Sequence, residues 1–211
     1  MRRPLLAVPV LAVLLVGAAD AQESGEVRAG VVVSLAQRGA TFAGAAGNGS
    51  GTMLGGELRA RFGLFAGAVR LGGGEFSPDS GIAAGGDIHR ADIDLMVGPP
   101  IVHARVGYGR RAFTGALGTR PWSSIRLGAA SEVPLGSSGI RAAVSVGFDI
   151  GLGEGNGGGR EIETRLIYRP DRLPLWFAVG YGMERFTADG SPETVAGVVL
   201  ASGVRLCVWC E

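Results

Sequence analysis

Histidines and aspartates in the middle of the sequence are the residues best suited to chemistry. His89, Asp92, Asp94 and His103 lie close together along the chain, and an imidazole held by a carboxylate is a common acid–base pair in enzymes. If this segment is β-structure, His89 points away from the face that carries the two aspartates, and only His103 could join them. Neither a G-x-S-x-G nor an H-E-x-x-H motif is present. We therefore expect structural ion pairs here, with no catalytic residue, metal site or cofactor.

A Cys-Val-Trp-Cys sequence, Cys207 to Cys210, precedes the last residue of the chain. The C-x-x-C spacing occurs in redox and zinc sites, but there is one such pair and no helix after it to lower the pKa of a thiol. In an oxidising compartment we expect a disulfide between Cys207 and Cys210. This ring requires a turn at the end of the strand, because in a flat strand the two side chains project to opposite faces.

Alternation of apolar and polar residues with a period of two runs through most of the sequence, and helical periodicity is rare. In the segment 140–150, for example, the even-numbered residues are apolar and the odd-numbered residues are small or charged. Repetition of this pattern predicts an all-β fold of eight to ten strands, with ten favoured. The ten segments are 26–36, 51–62, 64–73, 86–97, 101–111, 122–133, 139–151, 160–169, 174–186 and 194–208.

The predicted connections alternate between long and short. Segments 37–50 and 74–85 are long and rich in small residues, whereas 98–100 and 170–173 are short. Strands of about ten residues can cross a bilayer when tilted. Alternating connections of this kind are typical of an antiparallel up-and-down transmembrane β-barrel, in which an even strand count places both termini at the short-turn end.

The first residues have the three parts of a secretory signal peptide: arginines, an apolar run at 5–16, and small residues before Ala21. We expect cleavage between Ala21 and Gln22, which leaves residues 22–211 as one barrel domain. The apolar run is shorter than the roughly 20 residues of a transmembrane helix. Cleavage leaves acidic and basic residues in equal number. A neutral chain lacks the positive charge of a nucleic-acid-binding protein.

The cleavable signal and the repeated strands from Glu26 to Trp209 resemble the small outer-membrane β-barrel proteins, the opacity- and porin-like barrels, of bacteria with two membranes. The resemblance implies location in the bacterial outer membrane, contact with its lipid, and delivery by periplasmic chaperones and the barrel-insertion machinery. Members of this group usually end on an outward-facing aromatic residue. Here Trp209 is out of phase with the apolar face of the last strand, and Cys210 and Glu211 follow it.

If the apolar faces contact lipid, charged residues of both signs point into the lumen. A barrel of this size is filled by its side chains, and unpaired buried charges are costly. We therefore expect a lumen closed by paired charges, with inward-facing glycines making room for long arginines. The predicted lumenal charge network is Arg70, Arg90, Asp92, Asp94, His103, Arg105, Arg126, Arg141, Asp149, Glu163, Arg165 and Glu184.

Aromatic residues near strand ends predict two interfacial girdles of the kind that membrane barrels carry. The short-turn end would carry Phe62, Tyr168, Trp176 and Trp209, and the long-connection end would carry Phe113, Trp122 and Phe186.

Four functions are compatible with these patterns. The leading one is a structural or surface-interaction barrel whose connections at 37–50 and 74–85 face the exterior, with the ligand of those connections unassigned. The second is a narrow channel for small solutes. The third is a barrel enzyme acting on lipid or peptide, which needs His103 beside an acid near one rim. The fourth is a soluble secreted barrel with its apolar faces inward around an apolar ligand.

Overall fold

The computed structural model describes residues 25–42, 44–99, 101–152, 157–170, 172–188 and 190–207. The predicted signal peptide, its cleavage site at Ala21 and Gln22, Trp209 and Cys210 lie outside these residues. In the described part the chain forms ten β-strands and no helix. The strands are β1 Gly25–Phe42, β2 Ala45–Phe62, β3 Phe65–Ser80, β4 Gly86–Val97, β5 Val102–Gly115, β6 Gly118–Pro134, β7 Ile140–Leu152, β8 Gly158–Tyr168, β9 Leu175–Ala188 and β10 Ser191–Cys207.

The ten strands close into a single antiparallel barrel. Each strand pairs with its neighbours in sequence, and β1 also pairs with β10 to close the ring. The predicted all-β, up-and-down barrel of ten strands is confirmed. Closure leaves no exposed sheet edge, so the backbone donors and acceptors along the strands find partners within the sheet.

Within the described residues, no helix has the length and apolar character needed to cross a membrane.

The strands extend further at the long-connection end than the sequence predicts. Most of the predicted connections 37–50 and 74–85 are strand: β1 continues to Phe42, β2 begins at Ala45, and β3 continues to Ser80. The Gly-, Ser- and Ala-rich sequence has weak intrinsic β-propensity, but neighbouring strands supply ladder partners such as Gly39 opposite Asn48. Tertiary pairing therefore overrides the local signal, and the turns are tight, with Gly44 and Gly81 at φ of 80° and 64°.

Alternation separates the two faces of the wall. On β4, Ile93 and Leu95 are 56% and 64% exposed, whereas Asp92 and Asp94 between and beside them are 1% and 2% exposed. The apolar residues therefore form the outside of the barrel, and the charged residues line the lumen. This orientation is the reverse of the one that a soluble barrel with an apolar ligand cavity requires.

The outward apolar side chains form a continuous surface, the apolar belt, next to the short turns. It extends from Val97 to Ile93 on β4 and from Ile140 to Ile150 on β7. Ten strand residues tilted by about 40° rise about 25 Å, the height of the apolar band of a membrane barrel. Beyond the belt the outward positions become charged, with Arg160 and Arg185 directly opposite each other on β8 and β9.

The predicted aromatic girdles are only partly formed. Phe62 and Tyr168 are exposed on the outside near the short turns, but Trp176 is buried inside the barrel. Phe113, Trp122 and Phe186 are also buried inside, so the girdle predicted at the other end is wrong. The reason is parity: these side chains fall on the same faces as Arg105, Arg126 and Glu184, which point into the lumen.

Candidate functional site

Salt bridges cross the middle of the lumen around Arg126. Its Nη1 lies 2.9 Å from Asp92 Oδ1 and 3.6 Å from Asp94 Oδ2, and its Nη2 lies 2.5 Å from Glu161 Oε2. Its Nε lies 3.7 Å from Asp149 Oδ1. Because β4, β6, β7 and β8 each supply one or two of these groups, the cluster ties one half of the wall together.

Other pairs reach across from the opposite wall. Arg165 on β8 lies 3.0 Å from Glu57 on β2, and Arg70 on β3 lies 3.2 Å from Glu163 on β8. With the cluster around Arg126, these pairs make up a set that we call the central network. Its members are Glu57, Arg70, Arg90, Asp92, Asp94, Arg105, Arg111, Arg126, Asp149, Glu161, Glu163, Arg165 and Glu184.

Two arginines of the central network are direct cross-strand neighbours. Arg90 on β4 lies opposite Arg111 on β5, an arrangement that is destabilising by itself. Glu184 on β9 contacts both, with Oε2 2.9 Å from Arg111 Nη2. A carboxylate from across the lumen therefore compensates the repulsion between the two guanidinium groups.

Inward-facing glycines make room for these side chains. A Cβ on Gly107 would lie 2.2 Å from Asp94 Oδ1, and one on Gly147 would lie 2.5 Å from Arg105 Nη2. Any larger residue at these two positions would collide with the network. The glycines on the polar face are thus part of the packing of the charges.

An aromatic cluster, the outer plug, fills the lumen on the side of the central network away from the short turns. It consists of Ala36, Phe76, Ile88, Phe113, Trp122 and Phe186. The Phe186 ring stacks on both Phe113 and Trp122, with centroids 5.5 and 4.8 Å apart. Nearby, the Arg38 guanidinium lies 4.6 Å from the Phe113 ring centroid and its Nε donates to Glu193 at 2.5 Å.

The opposite end of the lumen, the short-turn mouth, is rich in arginine. It is lined by Glu26, Arg28, Arg59, Arg61, Glu132, Arg141 and Arg169. Glu132 is its central acid, 3.2 Å from Arg28 and 2.7 Å from Arg141, and it also contacts Arg169. Glu26 lies 2.9 Å from Arg28.

The residues considered for acid–base chemistry are separated. His103 Nε2 lies 3.3 Å from Arg59 Nη2, and His103 Nδ1 lies 3.4 Å from Arg61 Nη2. Asp92 and Asp94 contact Arg126 instead, and His89 is exposed on the outer surface. Within the described residues, His103 therefore contacts arginines and not the carboxylate that an acid–base pair needs.

The described ranges contain no cluster of three or more His, Cys, Asp or Glu residues able to hold a metal ion. Cys207 ends β10, but Cys210 lies outside the described residues, so the disulfide stays a prediction.

All twelve residues of the predicted lumenal set lie on the inner face, ten in the central network and His103 and Arg141 at the short-turn mouth. The structure adds others that the sequence analysis missed, among them Glu57, Arg111, Glu132 and Glu161. The alternation of faces along a strand could have identified them, because residues an even number of positions apart share a face. Glu161 shares the face of Glu163, and Glu132 shares that of Arg126.

A closed ring of antiparallel strands, an apolar outer surface and a charged lumen define an outer-membrane-type β-barrel. No protein-family model matches the sequence, and no curated protein matches it.

The solved structures similar to this chain include an outer membrane protease, an autotransporter translocator domain and a toluene transporter. The outer membrane protease OmpT from Escherichia coli has a TM-score of 0.48 and 7% identity, covering 87% of this chain and 96% of its own. The translocator domain of the autotransporter NalP from Neisseria meningitidis has a TM-score of 0.42 and 16% identity, covering 94% of each chain. The P. putida toluene transporter TodX has a TM-score of 0.32 and 8% identity, covering 92% and 93%. At these sequence identities and TM-scores, the similarity does not indicate a shared function.

Proposed function

We propose that this chain is a bacterial outer-membrane β-barrel with a closed lumen, whose role is structural or in surface interaction and not enzymatic. The observation that carries the proposal is the central network, which joins opposite walls of the lumen inside an apolar belt. A transport protein keeps a path through its lumen, whereas here charged side chains occupy it.

The belt supports a membrane location. Large apolar side chains such as Leu95, Phe148 and Leu206 are about 60% exposed around the barrel. Soluble monomers rarely expose a continuous apolar surface of this extent, but lipid tails solvate it at no cost. The predicted signal peptide supports export to the outer membrane, where lipid, periplasmic chaperones and the insertion machinery are the expected partners.

Several features support closure. Arg126 is only 1% exposed although it lies in the lumen, so side chains fill the lumen around it. Removing one partner of such a buried pair costs about 3–5 kcal/mol, so opening the network is unfavourable. The outer plug adds an apolar obstruction beyond the central network. Contacts with external partners would fall to the strand extensions and tight turns beyond the belt.

Cell fractionation followed by gel electrophoresis with and without boiling tests this proposal. We expect a band in the outer-membrane fraction whose mobility changes on boiling, and no steady conductance when the purified barrel is placed in a planar bilayer. A soluble periplasmic product would overturn the membrane location. A steady conductance would overturn closure.

A narrow channel is the second candidate, favoured by two cavities of about 130 and 80 Å³ on either side of the central network. Four side chains line both cavities and so separate them: Glu57, Arg70, Glu163 and Arg165. If the lumen conducts, replacing Arg70 and Arg165 by alanine should join the cavities and raise the conductance. If wild type and this variant are both silent, the channel hypothesis fails.

A further inference from the structure

Three arginines lie in a row across neighbouring strands at the short-turn mouth. Arg28 on β1 is directly opposite Arg59 on β2 and directly opposite Arg205 on β10. Cross-strand pairs share a face, so the three side chains are adjacent, and like charges in such positions destabilise the sheet. The row therefore requires negative charge nearby.

The protein supplies only part of that charge within its described residues. Glu132 lies 3.2 Å from Arg28 and 4.0 Å from Arg59, and Glu26 contacts Arg28 and Arg169. Among the described residues, five arginines and these two glutamates line the mouth, which leaves an excess of three positive charges in that set. In this part of the chain no acidic residue pairs with Arg61 or Arg205.

Hydrogen-bond donors are also in excess. Arg59 and Arg61 each direct an Nη2 at one ring nitrogen of His103, but a neutral imidazole has a single acceptor nitrogen. At least one of the two Nη2 groups is therefore left without an acceptor on His103, whereas Arg61 Nη1 donates to the carbonyl oxygens of Gly63 and Gly98. The Nε atoms of Arg59 and Arg169 are buried and have no hydrogen-bond partner among the described residues.

The guanidinium donors line a cavity. The mouth encloses a cavity of about 180 Å³, larger than the roughly 150 Å³ cavity that accommodates benzene in another protein. It is walled by guanidinium groups, and a planar guanidinium binds the oxygens of phosphate in bidentate fashion. A multiply charged anion fits both the volume and the charge.

We propose that the short-turn mouth is a binding site for a phosphate-bearing anion, held by Arg28, Arg59, Arg61 and Arg169. The bound oxyanion accepts hydrogen bonds from the unpartnered donors and neutralises the excess charge. If the strand extensions beyond the belt face the exterior, as proposed above, this opposite end faces the periplasm. The site itself rests on the geometry of the mouth and not on closure of the lumen.

Binding is measured on the full barrel, folded in a phosphate-free detergent, by titration calorimetry and by broadening of the phosphorus resonance. The probes are inorganic phosphate and pyrophosphate, with acetate and chloride at equal ionic strength as controls. We expect saturable binding of pyrophosphate, with weaker binding of phosphate and none of acetate. A short-chain phosphatidylglycerol is titrated in parallel: tighter binding of this lipid assigns the site to a headgroup, and tighter binding of pyrophosphate assigns it to a free anion.

Arg61→Gln and Arg59→Gln should each weaken pyrophosphate binding at least tenfold. Arg172→Gln, in an exposed turn, is the matched control and should leave the affinity unchanged. Each variant is first checked for a heat-modifiable band, which shows that its barrel is folded. The wild-type titration tests binding even if a variant does not fold. Absence of binding to all phosphate probes by wild type, or binding that neither Arg59→Gln nor Arg61→Gln weakens, would overturn the proposal.

Discussion

The central network and the short-turn mouth use the same residue, arginine, but differ in how its charge is balanced. Among the described residues, six arginines contact seven acidic residues in the central network, whereas five arginines and two glutamates line the mouth. The adjacent arginines Arg90 and Arg111 share Glu184, while the row through Arg28 relies chiefly on Glu132. Under the two proposals above, the first region closes the lumen together with the outer plug, and the second binds an anion.

Removing the centre of the balanced region should have the largest effect. Arg126→Ala leaves Asp92, Asp94 and Glu161 without their shared partner. We expect the free energy of unfolding in lipid vesicles, measured by urea titration, to fall by about 3–5 kcal/mol. The same change at exposed Arg172 should shift it by less than about 0.5 kcal/mol. Equal effects at both positions would show that the central pairs do not stabilise the barrel.

Substitutions of Phe186 test whether apolar packing in the outer plug stabilises the barrel. Phe186→Ala removes both ring stacks, to Phe113 and to Trp122, and should cost about 3 kcal/mol. Phe186→Leu keeps most of the volume and should cost less than about 1.5 kcal/mol. Urea unfolding followed by tryptophan fluorescence measures both. A loss for leucine as large as for alanine would contradict packing as the cause.

Glu132→Gln tests how the charges at the mouth are balanced. It removes the carboxylate charge that faces Arg28, Arg141 and Arg169, and the expected loss is about 2 kcal/mol. Arg59 and Arg141 side chains are 25% and 26% exposed, so raising salt from about 0.1 to 1 M should reduce this loss through screening. The loss in Arg126→Ala, at a 1% exposed site, should persist. A salt-independent loss for Glu132→Gln would contradict the difference between the two regions.

Adding a Cβ at an inward-facing glycine beside the central network should reduce the stability of the barrel least. Gly107→Ala places a Cβ 2.2 Å from Asp94 Oδ1 and 2.5 Å from the carbonyl oxygen of Ile93, so we expect a loss of about 1 kcal/mol. Gly56→Ala is the control, because its Cβ would meet nothing closer than 3.7 Å. Unfolding midpoints of the two variants are compared directly. A neutral Gly107→Ala would show that the network adjusts without cost.

The alternation of apolar and polar residues predicted more of this protein's fold than the amino-acid composition of its segments did. The phase of Asp92 and Asp94 against Ile93 and Leu95 correctly places charges inside and apolar residues outside. Loop-like composition misled at 37–50, where most of the Gly- and Ala-rich sequence is strand because the neighbouring strands supply its hydrogen bonds. The girdle prediction failed where position along a strand was used without parity, as for Trp122.

The sequence favoured ten strands in antiparallel order through repeated segments and alternating connections, and it showed which side chains share a face, because successive residues of a strand point to opposite faces. Which charges meet depends on the closed barrel. Glu57 and Arg165 are paired, although 108 positions apart, because barrel closure sets them on facing walls. It also decided that Glu184 joins two arginines in the centre while the arginines at the mouth outnumber their acids, since register and curvature are properties of the closed sheet and not of any one strand.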